Sequence, residues 1–143
     1  MKRYALCVFC ILAFVLCLIP CAGAISPEIH STSAPLRFSE CKTITNPSDA
    51  DLLLFWIVKS AFTATKVTGI AVGGTSAIVD IQECTSAGAA CANIQTASLT
   101  VTTTGANTTS FSDASIAAGA VLKLDIGVVT GAVTQVTVCL EGN

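Results

Sequence analysis

The sequence predicts an all-β protein, built as a single β-sandwich or jelly-roll-like domain of about eight strands. Three observations lead to this fold class. Ser and Thr make up 30 of the 119 residues that follow residue 24, Val and Ile recur through the same region, and Gly interrupts it at intervals. Val, Ile and Thr favour strands, and Gly favours the turns between them. Short strands at this spacing are typical of sandwiches and jelly rolls.

The first 24 residues have the pattern of a secretory signal peptide. Lys2 and Arg3 precede an apolar run that ends at Pro20, and Ala22 and Ala24 match the small-residue cleavage pattern. We therefore expect cleavage after Ala24 and a secreted or extracellular protein, with the periplasm or the cell surface as further locations.

Two alternatives concern this N-terminal segment. A transmembrane anchor is disfavoured, because about 16 apolar residues fall short of the roughly 20 that a spanning helix needs, and we expect no membrane insertion after cleavage. Lipidation of Cys21 stays open, although Pro20 stands where lipoprotein signals carry Gly, Ala or Ser.

Residues 25–35 are predicted to form an extended leader, because Pro27 and Pro35 frame a run rich in Ser and Thr. Residues 36–143 then form the β-sandwich domain. Without residues 1–24 the chain carries five basic and nine acidic side chains, a formal charge of -4. No basic patch is available for a nucleic-acid backbone, so we expect no nucleic-acid partner.

Six strands are predicted in the first part of the domain, with Gly-rich or Pro-containing turns between them: residues 36–44, 52–59, 63–72, 76–84, 92–103 and 108–112. The turns are placed at residues 46–47, 73–74, 84–91 and 105–107. Residues 52–58 are ambiguous, because seven consecutive apolar residues show no alternation and Ser48 with Asp51 resembles a helix capping box. We favour a buried central strand over a helix there, since the run is short.

Alternation is clearest near the C-terminus. Leu122, Leu124 and Ile126 alternate with Lys123 and Asp125, and a second alternating segment follows residues 130–131. Such alternation predicts two half-buried strands, and the turn between them predicts a C-terminal hairpin.

Four cysteines remain after cleavage: Cys41, Cys84, Cys91 and Cys139. An even number in an exported chain predicts two disulfides, although four cysteines allow three pairings. We favour Cys84 with Cys91, across a small-residue loop, and therefore Cys41 with Cys139. Cys41 is expected to face inward, because it alternates with charged neighbours. A zinc site is the alternative, but the six-residue gap in the loop is unlike zinc-ligand spacing.

Residues with catalytic potential are few. The single imidazole, His30, lies in the leader, where nothing would hold it beside a nucleophile. Residues 73–76 lack the Lys of a phosphate-binding loop and are interpreted as a turn. A glycosidase pair would have to come from strand carboxylates that more often keep a surface soluble: Asp80, Glu83, Asp113 and Asp125. We expect a protein that is not an enzyme, with no catalytic residue, cofactor or metal site.

Two patterns in the sequence suggest binding sites but have plainer interpretations. Asp49 and Asp51 offer oxygen ligands for Ca²⁺, but the spaced ligand set of an EF-hand loop is missing, which favours an ordinary polar turn. Trp56 is the one residue suited to stacking on a sugar ring, yet it lies in an apolar run and is expected in the core. Asn107 begins an N-glycosylation sequon, which matters in a eukaryotic source.

The order of turn and strand signatures along residues 40–141 resembles a loose group of small β-sandwich modules from phage-encoded and environmental bacterial proteins, most of them uncharacterised. The segments that carry the resemblance are residues 44–47, 53–55, 72–76, 81–84, 116–119 and 129–138. The resemblance implies a virion or appendage component with a structural or adhesive role.

We therefore expect a structural or adhesive subunit of an extracellular or surface assembly. Its partner would be a second copy of the chain or a cell-surface or virion-type protein, and residues 25–35 could add a strand to a neighbour's sheet edge. The alternative function is a small secreted ligand-binding module, with carbohydrate as the favoured ligand.

Overall fold

The computed structural model describes residues 37–143, and strands form all of the regular secondary structure in this part of the chain. The signal peptide predicted for residues 1–24 and the leader predicted for residues 25–35 lie outside the described residues. The strands are β1 (Phe38–Thr45), β2 (Leu52–Ile57), β3 (Phe62–Gly73), β4 (Ser76–Cys84), β5 (Ala92–Asn93), β6 (Leu99–Thr102), β7 (Ala106–Thr108), β8 (Ser115–Ile116), β9 (Val121–Thr130) and β10 (Val133–Gly142).

These strands form two antiparallel sheets that pack against each other, which confirms the predicted β-sandwich. Sheet A has the order β1-β10-β3-β7, with β8 also paired to β3, and sheet B has the order β2-β9-β4-β5, with β6 also paired to β4. The core consists of the inward side chains of both sheets, including Ile81, Leu122, Leu124, Val136 and Leu140. Burial of these aliphatic side chains is the main favourable contribution to folding.

The predicted C-terminal hairpin is wrong. β9 and β10 alternate as expected, but β9 belongs to sheet B and β10 to sheet A, so the intervening residues carry the chain from one sheet to the other. The connection between β3 and β4 also changes sheets, and the two connections pack together. The Thr75 amide donates to the Thr130 carbonyl (2.8 Å), and a Cβ on Gly74 would lie 2.5 Å from the Val133 nitrogen. Gly74 and Gly131 both have positive φ, which glycine adopts without strain.

The strand predicted at residues 92–103 is two short strands, β5 and β6. The interruption lies at Gln95, a buried polar side chain whose Oε1 accepts a hydrogen bond from the Ile81 amide (2.7 Å). The Gln95 side chain thus supplies to β4 the acceptor that a backbone carbonyl would otherwise supply. Regular pairing with β4 is interrupted at this residue.

The strand predicted at residues 108–112 is also wrong, because β7 begins at Ala106 and ends at Thr108. Gly105, with φ of 80°, follows the turn at residues 103–104, so pairing with β3 begins immediately after it. The Thr108 hydroxyl then accepts from the Ser110 amide (3.1 Å), which turns the chain out of the ladder. β8 was not predicted at all. The described residues contain ten strands rather than about eight.

The ambiguous segment is a strand rather than a helix, but β2 is not the buried central strand that was predicted. It lies at the edge of sheet B and pairs with β9 alone. Phe55 is buried, whereas Leu52, Leu54 and Ile57 are exposed. The apolar run therefore supplies both the inward face of β2 and an apolar outward face.

Candidate functional site

The exposed apolar surface of β2 is the first feature that the fold leaves unexplained. Leu52, Leu54 and Ile57 are 52%, 52% and 56% exposed. Within residues 37–143 no strand pairs with the side of β2 that faces away from β9. We call this surface, consisting of the three outward side chains and the unpaired backbone of β2, the β2 edge. An apolar edge strand with free backbone groups is a template for pairing with another chain.

The neighbouring edge strand, β1, has a different composition. Glu40 and Lys42 are paired with the buried residues Leu140 and Val138, so their side chains are on the inward side of the strand. Charged side chains directed inward from an edge strand discourage the addition of a further strand. Of these two edges, the β2 edge is therefore the better suited to association.

This arrangement of β1 also corrects the predicted orientation of Cys41. Cys41 is exposed and lies directly opposite Cys139 on the outward face of sheet A. The prediction failed because it assumed that the charged neighbours of Cys41 must face outward. On an edge strand, charged side chains can instead lie on the inward side, at the margin of the core.

Both predicted disulfides are present, Cys41 with Cys139 and Cys84 with Cys91. The second closes the loop between β4 and β5, which pair through Gln82 with Asn93. Two disulfides are typical of proteins that fold in an oxidising compartment.

A cluster of three aromatic rings lies where β1 begins, β2 ends and β3 begins. The ring centroids of Phe38 and Phe62 are 4.4 Å apart in an edge-to-face arrangement, and Trp56 lies 5.5 Å from each of them. These rings line a cavity of about 370 Å³, which we call the aromatic cavity. Its remaining lining residues are Lys59, Ser60, Ala61 and Asn143. Trp56 was expected in the core, but it is only partly buried.

Local sequence explains how these rings come together. A bulge in β2 leaves Phe55 without a partner and places Trp56 opposite the buried Leu122, so the indole is on the inward side. Gly142 provides the room for the other two rings, because a Cβ there would lie 2.6 Å from Phe38 and 2.7 Å from Phe62. The aromatic cavity thus depends on one bulge and one glycine.

The same end of the sandwich contains two further cavities. One, of about 180 Å³, shares Phe38 and Asn143 with the aromatic cavity and is also lined by Arg37, Thr65, Glu141 and Gly142. The other, of about 370 Å³, lies between the Cys84–Cys91 loop and the segment before β9, and its walls are mostly small side chains. Of the three, only the aromatic cavity offers a set of rings to a ligand.

The structure places two of the four carboxylates that could supply a glycosidase pair side by side. Asp80 and Asp125 are cross-strand partners on the outward face of sheet B. Asp80 accepts from the Ser98 hydroxyl (2.7 Å) and Asp125 from the side-chain Nε2 of Gln82 (3.0 Å). Glu83 accepts from the Ala117 amide (2.9 Å), and Asp113 accepts from the Ser115 amide (2.9 Å). Each carboxylate satisfies a nearby donor.

Asp49 and Asp51 serve the connection between β1 and β2. Asp49 accepts from the Val129 amide (2.7 Å) and Asp51 from the Ser48 amide (2.7 Å). The resemblance to a helix capping box thus reflects a turn. Within residues 37–143 no three His, Cys, Asp or Glu side chains come close enough together to hold a metal ion.

The remaining candidates are spread over the chain. His30 lies outside the described residues. Residues 73–76 form one of the connections between the sheets, and Asn107 is exposed on β7. The sequence missed the β2 edge and the aromatic cavity, although the uninterrupted apolar run at residues 52–58 was the signal for both.

Comparison with known proteins adds no relative. Neither a scan against protein-family models nor a search of curated proteins gave a match. Residues 37–143 contain no helix with the length and apolar character that a membrane crossing requires.

Proposed function

We propose that this protein is an exported, non-catalytic subunit of an extracellular or surface assembly, and that it joins its neighbours through the β2 edge. The observation that carries this proposal is the exposure of Leu52, Leu54 and Ile57 on a strand with one unpaired side. The predicted signal peptide and the two disulfides support a location outside the cytoplasm. The resemblance to phage-encoded and environmental modules supports a structural or adhesive role.

The mechanism of association is strand addition. An extended segment of a neighbouring subunit pairs its backbone with β2 and covers the apolar side chains beside it. Hydrogen bonds to the main chain fix the position of the added strand, and apolar burial stabilises it. The charged, inward-facing residues of β1 direct the added strand to β2 rather than to the edge of sheet A.

Replacement of Leu54 by Lys tests this proposal. Lys on an edge strand opposes the approach of a further strand, and the substitution removes about 1.5–3 kcal/mol of apolar burial from the interface. We expect Leu54→Lys to weaken self-association of the exported protein by at least about tenfold. Sedimentation velocity over a concentration series measures this change.

The matched control is Ile70→Lys, which places the same charge on an exposed apolar position in the outward face of sheet A. Both variants should keep the unfolding free energy within about 0.5 kcal/mol, as surface substitutions usually do. If Ile70→Lys prevents association and Leu54→Lys does not, the interface is the face of sheet A and the β2 edge is rejected.

A second candidate function is ligand binding, and the aromatic cavity favours it. Three rings together with Ser60 and Asn143 offer stacking surfaces and hydrogen-bonding groups to a sugar ring. A protein that stays monomeric at high concentration, while neutral oligosaccharides change the fluorescence of its one Trp, would support this function in place of assembly.

A further inference from the structure

The β2 edge and the aromatic cavity are continuous, because Trp56 belongs to both β2 and the cavity wall. A strand added beside β2 would therefore place one of its inward side chains near the mouth of the cavity. We propose that this strand is the leader of a second copy of the chain, with Ile29 of that copy in the aromatic cavity. The inference rests on the proposed function and names the partner segment.

The length of the leader matches that of β2. Pro27 and Pro35 frame the seven residues 28–34, which include no proline. Because proline cannot donate to a sheet ladder, a paired segment is bounded by these two positions. Seven residues extend over about 23 Å, close to the roughly 20 Å of the six-residue β2.

The side chains of the leader also suit the aromatic cavity. Ile29 is the single large apolar side chain among residues 28–34, and the aromatic cavity is an apolar site for one such side chain. Glu28 precedes Ile29, and Lys59 is the cationic side chain in the lining of the cavity. With Ile29 in the aromatic cavity, the Glu28 carboxylate would therefore lie near the positive charge of Lys59 at the edge of the cavity.

The point where the leader joins the domain favours a second copy of the chain as the acceptor. It enters at Arg37, directly before Phe38, and Phe38 already lies 5.5 Å from Trp56 at the end of β2. For the leader to pair with β2 of the same chain, the backbone would have to reverse its direction within residues 35–37. Ala34 and Phe38 are four positions apart in the sequence and their Cα atoms are therefore at most about 14 Å apart, so the donor must lie within about 14 Å of the β2 edge that it completes. Neighbouring copies are then in direct contact.

The exported, disulfide-bonded protein allows a direct test because Trp56 is its one Trp. As the concentration rises through the association range, we expect the Trp56 emission to move to shorter wavelength while the sedimentation coefficient rises. Ile29→Asp should weaken both changes by about tenfold or more, as expected for the loss of a buried Ile. Ser26→Asp, a charge of the same sign in the same leader but outside the paired segment 28–34, is the matched control and should retain both.

A charge exchange tests the position of Glu28. Lys59→Glu should weaken association by about two- to fivefold, as for an exposed ion pair, and the added change Glu28→Lys should restore it. Failure of the double variant to restore association would reject the placement of Glu28 beside Lys59.

The outcomes separate this inference from the proposed function. Association that survives Ile29→Asp with its emission change intact rejects Ile29 as the anchor and leaves the β2 edge in place. Association without any change in Trp56 emission rejects occupation of the cavity. If the protein is a monomer whose Trp56 emission does not depend on concentration but is altered by Ile29→Asp, the cavity holds the leader of the same chain. That outcome rejects the second copy. A monomer whose emission is unaffected by concentration and by Ile29→Asp rejects both proposals.

Discussion

Gly142 determines whether the aromatic cavity can exist. Its backbone lies under the rings of Phe38 and Phe62, so any side chain at this position must displace them. We predict that Gly142→Ala lowers the unfolding free energy by about 1–3 kcal/mol through overpacking, and that it shifts the Trp56 emission, because the three rings pack together. Denaturant unfolding and fluorescence measure the two effects.

Gly127→Ala is the control for this substitution. A Cβ on Gly127 would lie 3.2 Å from the side chain of Ile78, which is only partly buried and can move. We expect a smaller loss of stability and no change in Trp56 emission. An equal loss in both variants, with the Trp56 emission unchanged, would show that the rings accommodate the added methyl group at no special cost.

Gln95 explains why residues 92–103 were predicted to form one strand although they form two. Polar residues occur on the exposed face of most strands, so Gln95 gave no sign of being buried. Its burial follows from the Ile81 amide of an earlier strand, β4, to which its Oε1 supplies an acceptor. Only the folded sheet reveals that a side chain replaces the backbone there.

The two disulfides connect different elements and should stabilise them unequally. Cys41 and Cys139 join β1 to β10 over a sequence separation of 98, whereas Cys84 and Cys91 close a loop with a separation of 7. In the chain-entropy model the longer loop contributes about 4.7 kcal/mol and the shorter about 2.5 kcal/mol. We predict that replacing the first pair by Ala costs about 2 kcal/mol more than replacing the second.

Denaturant unfolding of the two double variants checks this prediction, and non-reducing peptide mapping of the unmodified protein checks the pairing itself. Equal losses of stability would contradict the entropic explanation. A peptide that joins Cys41 to Cys84 would contradict the pairing.

At the element scale the sequence predicted most strands but not how they pair. The period-two alternation of β9 and β10 identified them as half-buried strands, because alternation depends on each strand alone. Whether β9 and β10 form a hairpin depends on the sheet that each one joins, and both a hairpin and a connection between sheets need turn residues such as Gly131. Alternation therefore could not distinguish the two arrangements.

The candidate site was less predictable than the fold. The uninterrupted apolar run at residues 52–58 resembled a buried central strand, because such strands are apolar on both faces. β2 instead lies at an edge, where its outward face remains exposed. The local sequence does not encode the position of β2 in the sheet. That position places these residues on a surface suited to association instead of in the core.

For the whole molecule, the proposed function requires export and complete oxidation. We predict that the exported protein begins at Ile25 and contains no free thiol, because all four remaining cysteines are paired. Intact-mass measurement before and after reduction and alkylation tests both statements. A lipid adduct on Cys21, or thiols that react before reduction, would contradict them.

The bond between Cys41 and Cys139 also determines how the protein would respond to mechanical load. In an assembly held together by donated leaders, tension enters each subunit at Phe38 and pulls on β1, the edge strand of sheet A. An edge strand under such a pull would unzip one hydrogen bond at a time. The disulfide instead passes the force to β10, which lies between β1 and β3, so only the three residues before Cys41 can peel away.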